Sequence, residues 1–411
     1  MLKKIFIFAF ILFIIGAAAV WYVIYQKPTG LEPNANGNDN PFGDVSPDQT
    51  GTPQTPGSDG ENNIPLGTQT QIQELTQVTT SAAAGAIFIE SKASTSIRFM
   101  DRATSHITDL DLGTGKITRI SKTTIPKIYG ALWFNGGNSA ILRYLNEAGN
   151  TINTYSANLV TPKTIGTSTT ALKELQGRFL AQDIESIALS PAKTRIFYII
   201  TENGVGQGTI ANTDGSKRST IFTSPLTEWI AQWPAEGVIT LTTKAAGGHG
   251  GYLYFLTTAG KMTRILAGVP GLTTLTDPSG TKIVYSDDSN NLRVYVPKTG
   301  TTLNTGLSTL AEKCVWSKKQ KNIMYCAVPQ FIPRGTYPDV WYQGLVSFAD
   351  GIYKVNTDSN TSQLIANIPA KFNQSFDIVE PMISSDDLHF GFKNKKDGTI
   401  WVLRLASTTP Q

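Results

Sequence analysis

The sequence predicts an all-β protein in which one four-stranded antiparallel unit is repeated, because two turn signatures recur along the chain. The first is Gly-Lys-Ile-Thr-Arg-Ile at residues 115–120, which returns as Gly-Lys-Met-Thr-Arg-Ile at 260–265. The second occupies residues 189–198, 276–285 and 316–325, each time before a short apolar run. The two turns alternate at a period of roughly 40–45 residues, which is the length of a four-stranded propeller blade. We therefore expect a single large β-propeller.

The first 26 residues are predicted to form a transmembrane signal anchor. Lys3 and Lys4 precede the uncharged stretch 5–25, which at about 1.5 Å per residue just crosses a hydrocarbon core of about 30 Å. The positive-inside rule then leaves the N-terminus in the cytoplasm and the rest of this single-pass protein outside the cell membrane. The alternative is a signal peptide cleaved near the alanines at 17–19, which would give a secreted protein.

Residues 27–70 are expected to form a disordered linker. This segment is rich in Pro, Gly, Asn, Asp and Thr, and its six acidic residues outnumber its single Lys27. So few apolar residues cannot offset the entropy lost on ordering the segment. Its typical reach would be roughly 35–40 Å, enough to hold a domain away from the membrane.

Seven blades are predicted within residues 71–406, and residues 407–411 remain as a C-terminal tail. The last unit has only three strands before the chain ends. A propeller often completes its final blade with an N-terminal strand, which also hides a sheet edge. Residues 71–78 alternate polar and apolar side chains and are expected to supply that strand. Six or eight blades stay open as alternatives, because residues 160–182 show no clear strand pattern.

Three segments resemble the repeat of TolB-type, WD-repeat-like bacterial propellers. They are Leu-Ser-Pro-x-x-x-Arg-Ile-x-Tyr at 189–198, Asp-Pro-Ser-Gly-Thr-Lys-Ile-Val-Tyr at 277–285 and Gly-Thr-Ile-Trp-Val-Leu-Arg-Leu at 398–405. The likeness extends over residues 71–406, is degenerate, and departs from the family pattern in blades two and four. The resemblance implies a binding scaffold, and it brings no catalytic residues to this chain.

Cys314 and Cys326, the only two cysteines, are predicted to form a disulfide. A two-residue turn centred on Lys319 and Gln320 would place them opposite each other on neighbouring antiparallel strands, at a separation close to what a disulfide accepts. Export to an oxidising compartment favours the bond. Two reduced cysteines in the core are the main alternative, and a metal site would need further ligands.

The longest insertion, residues 329–349 in blade six, is the predicted binding surface. Propeller loops commonly carry binding, and Tyr, Trp and Arg provide much of the binding energy at protein interfaces. The candidate binding residues are Arg334, Tyr337, Asp339, Trp341 and Tyr342. The alternative is that these aromatic side chains fold down over the blade and form a small local core.

No metal site and no cofactor are predicted. His106, His249 and His389 lie in separate blades without metal-ligand spacing, and His249 belongs to a flexible glycine-rich turn. The acidic run 287–291 lacks the glycine and the distal glutamate of a calcium loop and is more simply a hairpin turn. The net charge is only +4, and the lysine runs fall at turns, so no nucleic acid is expected as a partner.

These observations favour a membrane-anchored extracytoplasmic β-propeller that acts as a non-enzymatic scaffold. Its expected partner is an envelope protein or a cell-surface polymer, with membrane contact through the N-terminal helix only. The Gly-x-Ser-x-Gly turn of propeller-bearing serine peptidases is absent from the sequence. The alternative is a secreted hydrolase or lyase that acts on glycans through carboxylates in the central channel.

Overall fold

Seven four-stranded antiparallel sheets form a β-propeller in the computed structural model, as predicted. The structure describes residues 74–91, 94–146, 148–162 and 172–405. The predicted anchor, the linker and the C-terminal tail lie outside these described residues. Within them, no helix combines the length and the apolar character that crossing a membrane requires.

The strands follow one another blade by blade. The first three blades contain β2 (Ala83–Glu90), β3 (Thr95–Asp101), β4 (Ile107–Asp111), β5 (Ile117–Arg119), β6 (Ile128–Phe134), β7 (Ser139–Leu145), β8 (Ile152–Val160), β9 (Glu174–Phe179), β10 (Ser186–Leu189), β11 (Arg195–Glu202), β12 (Val205–Asn212) and β13 (Ser219–Ser224). Blades four and five contain β14 (Trp229–Ala235), β15 (Val238–Thr243), β16 (Gly250–Leu256), β17 (Met262–Pro270), β18 (Thr273–Thr276), β19 (Ile283–Ser286), β20 (Asn291–Val296) and β21 (Thr301–Ser308).

The last two blades contain β22 (Cys314–Trp316), β23 (Ile323–Pro329), β24 (Asp350–Asn356), β25 (Thr361–Ala366), β26 (Ile378–Ile383), β27 (His389–Asn394), β28 (Ile400–Arg404) and the N-terminal strand β1 (Leu75–Gln77). Among the described residues, helical structure is limited to short pieces, namely α1 (Asp339–Tyr342), α2 (Ile368–Phe372) and the 3₁₀ turns Asn135–Gly137 and Ala311–Lys313.

The N-terminal strand closes the ring, inside the segment 71–78 expected to do so. β1 pairs with β28 as the outermost strand of blade seven, with Leu75 opposite Leu403. The backbone N–H of Val78 donates to the carbonyl of Ile400 at 2.9 Å. Blade seven therefore joins the two ends of the described chain, and β28 has no free edge.

The loops that form the candidate site all lie on one face of the propeller. The first strand of a blade is the innermost, and these strands pack against one another, as β10 does with β14 and β22 with β26. Because neighbouring strands are antiparallel, the innermost strand starts at the face where the second strand ends. The links between blades and the loops between second and third strands therefore share this face, which we call the upper face.

Apolar side chains fill the spaces between blades. Phe197 of blade three and Trp229, Trp233 and Leu241 of blade four belong to one buried cluster. The rings of Phe222 and Trp229 meet edge to face, with centroids 5.7 Å apart at 84°. Each side chain of this size contributes roughly 1.5–3 kcal/mol when fully buried. The innermost strands are thereby held in fixed positions around the channel.

The predicted disulfide is confirmed. Cys314 at the start of β22 lies directly opposite Cys326 in β23, with the Cα atoms 4.0 Å apart and the sulfurs bonded. Both cysteines are buried. The cross-link joins the innermost strand of blade six to its neighbour close to the upper face.

Candidate functional site

Residues 330–349 form an insertion on the upper face of blade six, and we call this segment the cap. It follows β23, contains α1 and ends where β24 begins at Asp350. The position agrees with the sequence-based prediction to within one residue. Because it connects the second strand to the third, the cap lies on the same face as the 3₁₀ turn that leads into β22.

Two of the residues predicted to bind, Tyr337 and Trp341, are each only 3% exposed. They pack with Leu310 and Phe348 in a small core of their own. The rings of Trp341 and Phe348 are stacked, with centroids 6.0 Å apart and an angle of 12°. The alternative that the sequence left open therefore holds for these two aromatic side chains: they form part of a small local core.

The other three predicted residues differ in exposure. Arg334 and Tyr342 are exposed, and Asp339 is half-buried. The carboxylate of Asp339 accepts a hydrogen bond from the backbone N–H of Gly247 at 2.6 Å. Arg334 and Tyr342 are therefore accessible to a partner, whereas Asp339 holds the cap in place. A binding role for these residues stays a prediction.

Two glycines let the cap cross from blade six over blade five to blade four. A Cβ atom at Gly247, in the loop after β15, would lie 2.3 Å from Cγ2 of Thr336. One at Gly271, just before β18, would lie 2.8 Å from the carbonyl oxygen of Tyr337, and its φ of +63° is also unfavourable for other residues. The glycine-rich turn around His249, which the sequence suggested to be a flexible loop, is therefore in contact with the cap.

A fully buried ionic cluster lies beneath the cap. Lys313 Nζ is 2.9 Å from Oδ2 of Asp350 and 2.8 Å from Oδ1 of Asp377, and none of the three side chains is exposed. Trp341 Nε1 donates to Oδ2 of Asp377 at 2.9 Å. Sequence reasoning missed this cluster. The only sign of the cluster in the sequence is one charged residue at or just before the start of each of the strands β22, β24 and β26. The propeller fold does not require a charged side chain at these positions.

A cavity of about 350 Å³ opens beside the cap, at the inner ends of blades four and five. Its lining includes Ile230, Gln232, Leu272, Thr274, Glu312 and Tyr342. Gln232 Nε2 donates to the carbonyl of Thr274 at 2.7 Å, so its amide is used within the wall. The wall is mainly apolar, as in many small-molecule sites, and Glu312 and Tyr342 are its notable polar groups.

Glu312 has an unusual environment for an acidic residue. Its side chain keeps exposed surface, yet many protein atoms of the cavity wall lie around it. This desolvation raises the pKa of the carboxyl, although Tyr342 Oη donates to it at 2.7 Å and Lys313 lies nearby. Burial also raises the pKa of Tyr342, and the nearby Glu312 carboxyl raises it further. The Tyr342 hydroxyl therefore remains a hydrogen-bond donor at neutral pH. Glu312 and Tyr342 are thus joined by a hydrogen bond in the wall of the cavity.

A second cavity, of about 480 Å³, lies between the innermost strands of blades one, two, three and seven. Ala131, Ile187 and Met382 give it an apolar wall, and Arg143 and Glu380 add charge. Glu380 accepts from Lys393 at 2.6 Å and is therefore neutralised within the protein. Among the described residues, no group of three or more His, Cys, Asp or Glu side chains could hold a metal ion.

Comparison with known proteins identifies the fold and nothing finer. No family model and no curated protein matches the sequence. The folds of 1137 chains in solved structures match the fold of this chain. One of them is an oligogalacturonate lyase from Vibrio parahaemolyticus, with a TM-score of 0.54 and 11% identity over 83% of this chain and 96% of that chain. At this identity the likeness shows a shared β-propeller architecture, which hosts many unrelated functions.

Proposed function

We propose that the protein is a membrane-anchored extracytoplasmic β-propeller that binds an envelope protein or a cell-surface polymer as a non-enzymatic scaffold. The observation that carries the proposal is a cap fixed across three blades that still leaves large apolar side chains in solvent. The exported topology comes from the uncharged stretch 5–25 after Lys3 and Lys4. The turns at 189–198 and 277–285 support a TolB-type, WD-repeat-like blade, a type associated with binding scaffolds.

The exposed side chains of the cap form the proposed contact surface. Phe331 and Leu345 are 74% and 72% exposed, more than any other large hydrophobic residue in the described part of the chain. Tyr342 is 42% exposed on the same segment. Exposed apolar side chains on an ordered segment are typical of interfaces, because little entropy is lost when a fixed surface binds.

We expect the variant carrying Phe331→Ser and Leu345→Ser to lose its partner. Residues 68–411 form a compact unit and serve as bait on solubilised envelope. Losing two such contacts is expected to reduce capture at least about tenfold, which corresponds to about 1.4 kcal/mol. The control is Ile117→Ser, since Ile117 is 68% exposed on the outer strand of blade one. Equal capture by all three proteins, or no specific capture by any, would contradict the proposal.

A second candidate function, cleavage of an acidic glycan, is favoured by the hydrogen-bonded pair Glu312 and Tyr342 in the 350 Å³ cavity, where the pKa of Glu312 is raised. If the protein cleaves oligogalacturonate, Glu312→Gln is expected to slow cleavage by about a hundredfold or more, as for a lost general acid or base. The control is Glu236→Gln, since that side chain is 59% exposed and lies elsewhere. Absence of unsaturated or shortened products with the unmodified protein would remove this candidate.

A further inference from the structure

The cluster of Lys313, Asp350 and Asp377 is the least solvated ionic group in the described part of the chain. All other ion pairs there have at least one partly exposed partner. A buried lysine with a carboxylate on each side is costly in a folded protein, because two or three charges must be desolvated together. The weak attraction found in surface ion pairs therefore does not account for burying these three groups together.

Aromatic rings and hydrogen bonds fix the three side chains in position. Lys313 Nζ lies 5.0 Å from the ring centre of Trp341 and 5.1 Å from that of Phe348, so apolar walls surround the amine. Trp341 Nε1 donates to both oxygens of Asp377, at 3.1 and 2.9 Å. These two contacts fix the orientation of the Asp377 carboxyl group.

Asp350 differs from Asp377 in its surroundings. Its Oδ2 accepts from the backbone N–H of Ile378 at 2.7 Å and from Lys313, while Oδ1 is buried without a hydrogen-bond partner. Desolvation raises the pKa of Asp350, and the charge of Asp377 raises it further, against the opposing effect of Lys313. The raised pKa favours the protonated form of Asp350, and Oδ1, which has no hydrogen-bond partner, is the oxygen that would leave.

We propose that Lys313 and Asp350 condense to form an intramolecular isopeptide bond, with Asp377 as the proton acceptor. The contacts at 2.9 and 2.8 Å bring the amine against both carboxyl groups, in a pocket where none of the three side chains is exposed to solvent.

The step balances within the cluster. The ammonium of Lys313 gives one proton to Asp377, and the amine nitrogen attacks Cγ of the protonated Asp350 carboxyl. The new C–N bond forms as a C–O bond of Asp350 breaks. The departing hydroxyl takes a second proton from the nitrogen and leaves as water, and Asp377 keeps the first proton. No oxidant, metal or activated donor is needed.

The bond would close the chain segment that carries the cap. It would join residue 313, at the start of the innermost strand, to residue 350, at the start of the third strand of the same blade. The disulfide at Cys314 lies next to it and joins the innermost strand to the second. The first three strands of blade six would then be linked covalently at the upper face, independently of which partner the cap binds.

Digestion of the purified full-length protein with trypsin tests the proposal. After reduction and alkylation of the cysteines, we expect a branched species that contains residues 299–318 and 335–354 and is lighter than their sum by one water. Lys313 would resist cleavage because its amine is acylated. Separate peptides 299–313 and 335–354, with cleavage after Lys313, would overturn the proposal.

The variant Asp377→Asn tests the role of the proton acceptor. It keeps the shape of the side chain and is expected to slow formation of the branched peptide by about a hundredfold, the usual effect of losing a general base. The control is Ser347→Ala, because Ser347 also contacts Asp377, at 3.3 Å, but does not contact the amine. Equal yields of branched peptide from both variants would overturn the assignment of Asp377. If Asp377→Asn fails to fold, the digest of the unmodified protein still decides whether the bond exists.

Discussion

Replacement of Lys313 by methionine is expected to lower the free energy of unfolding by about 3–5 kcal/mol, because it removes the amine that both buried carboxyl groups contact and, with it, the proposed covalent link. Lys313 contacts Asp350 and Asp377 at 2.9 and 2.8 Å, and all three side chains have zero exposure. Methionine has a similar length, so the change removes the amine and its contacts with little loss of volume. Urea unfolding of residues 68–411, followed by far-UV circular dichroism, measures the difference.

The control for this prediction is Lys371→Met. Lys371 is paired with Glu74, and the two side chains are 51% and 43% exposed. A solvated pair of this kind contributes about 0–1 kcal/mol, so this variant should unfold almost as the unmodified protein does. Equally small losses for both variants would contradict the prediction and show that the buried cluster contributes no more than a solvated pair.

A chain that begins at residue 80 is expected to unfold about 3 °C below one that begins at residue 68, since the unfolding entropy of a domain of this size is about 0.7 kcal/mol per degree and the expected loss is about 2 kcal/mol. The deletion removes β1, with the half-buried Leu75 and the buried Val78. It also removes the hydroxyl of Thr79, which accepts from the backbone N–H of Ile400 at 2.9 Å. Differential scanning calorimetry measures the change.

The same deletion exposes the hydrogen-bonding edge of β28. An unpaired edge with Val402 and Leu403 is a template for pairing with another chain, so the shortened protein should also form dimers or larger species. A chain beginning at residue 72 retains β1 and serves as the control in size-exclusion chromatography. If the protein starting at residue 80 is monomeric with an unchanged Tm, then β1 is not needed to close the ring.

Most of the architecture could be predicted because each hairpin depends on residues close in sequence. The turn at 189–198 and its repeats locate strand pairs, and the spacing of Cys314 and Cys326 places them in register across a short turn. The fourth strand of blade two, β9, was difficult for a physical reason. Only one of its six residues, Leu175, is buried, so this outer strand has no apolar alternation to detect.

The candidate site could be predicted only in outline. The density of aromatic and proline residues identified the cap, yet it could not show that Tyr337 and Trp341 turn inward while Tyr342 stays exposed. That division depends on contacts with other blades, such as the hydrogen bond between Asp339 and Gly247, which are 92 residues apart.

The sequence by itself determined the repeated unit and located the closing strand, and it favoured seven blades and the disulfide over the alternatives, because turn chemistry and the alternation of side chains act over short stretches of chain. Only the tertiary structure decided that Lys313 is buried between Asp350 and Asp377. It also decided that Glu312 lines a cavity and that the pKa of its carboxyl is raised. Closing the ring brings these distant residues together. Their charge state and chemistry depend on the solvent that the assembled blades exclude, which no local pattern encodes.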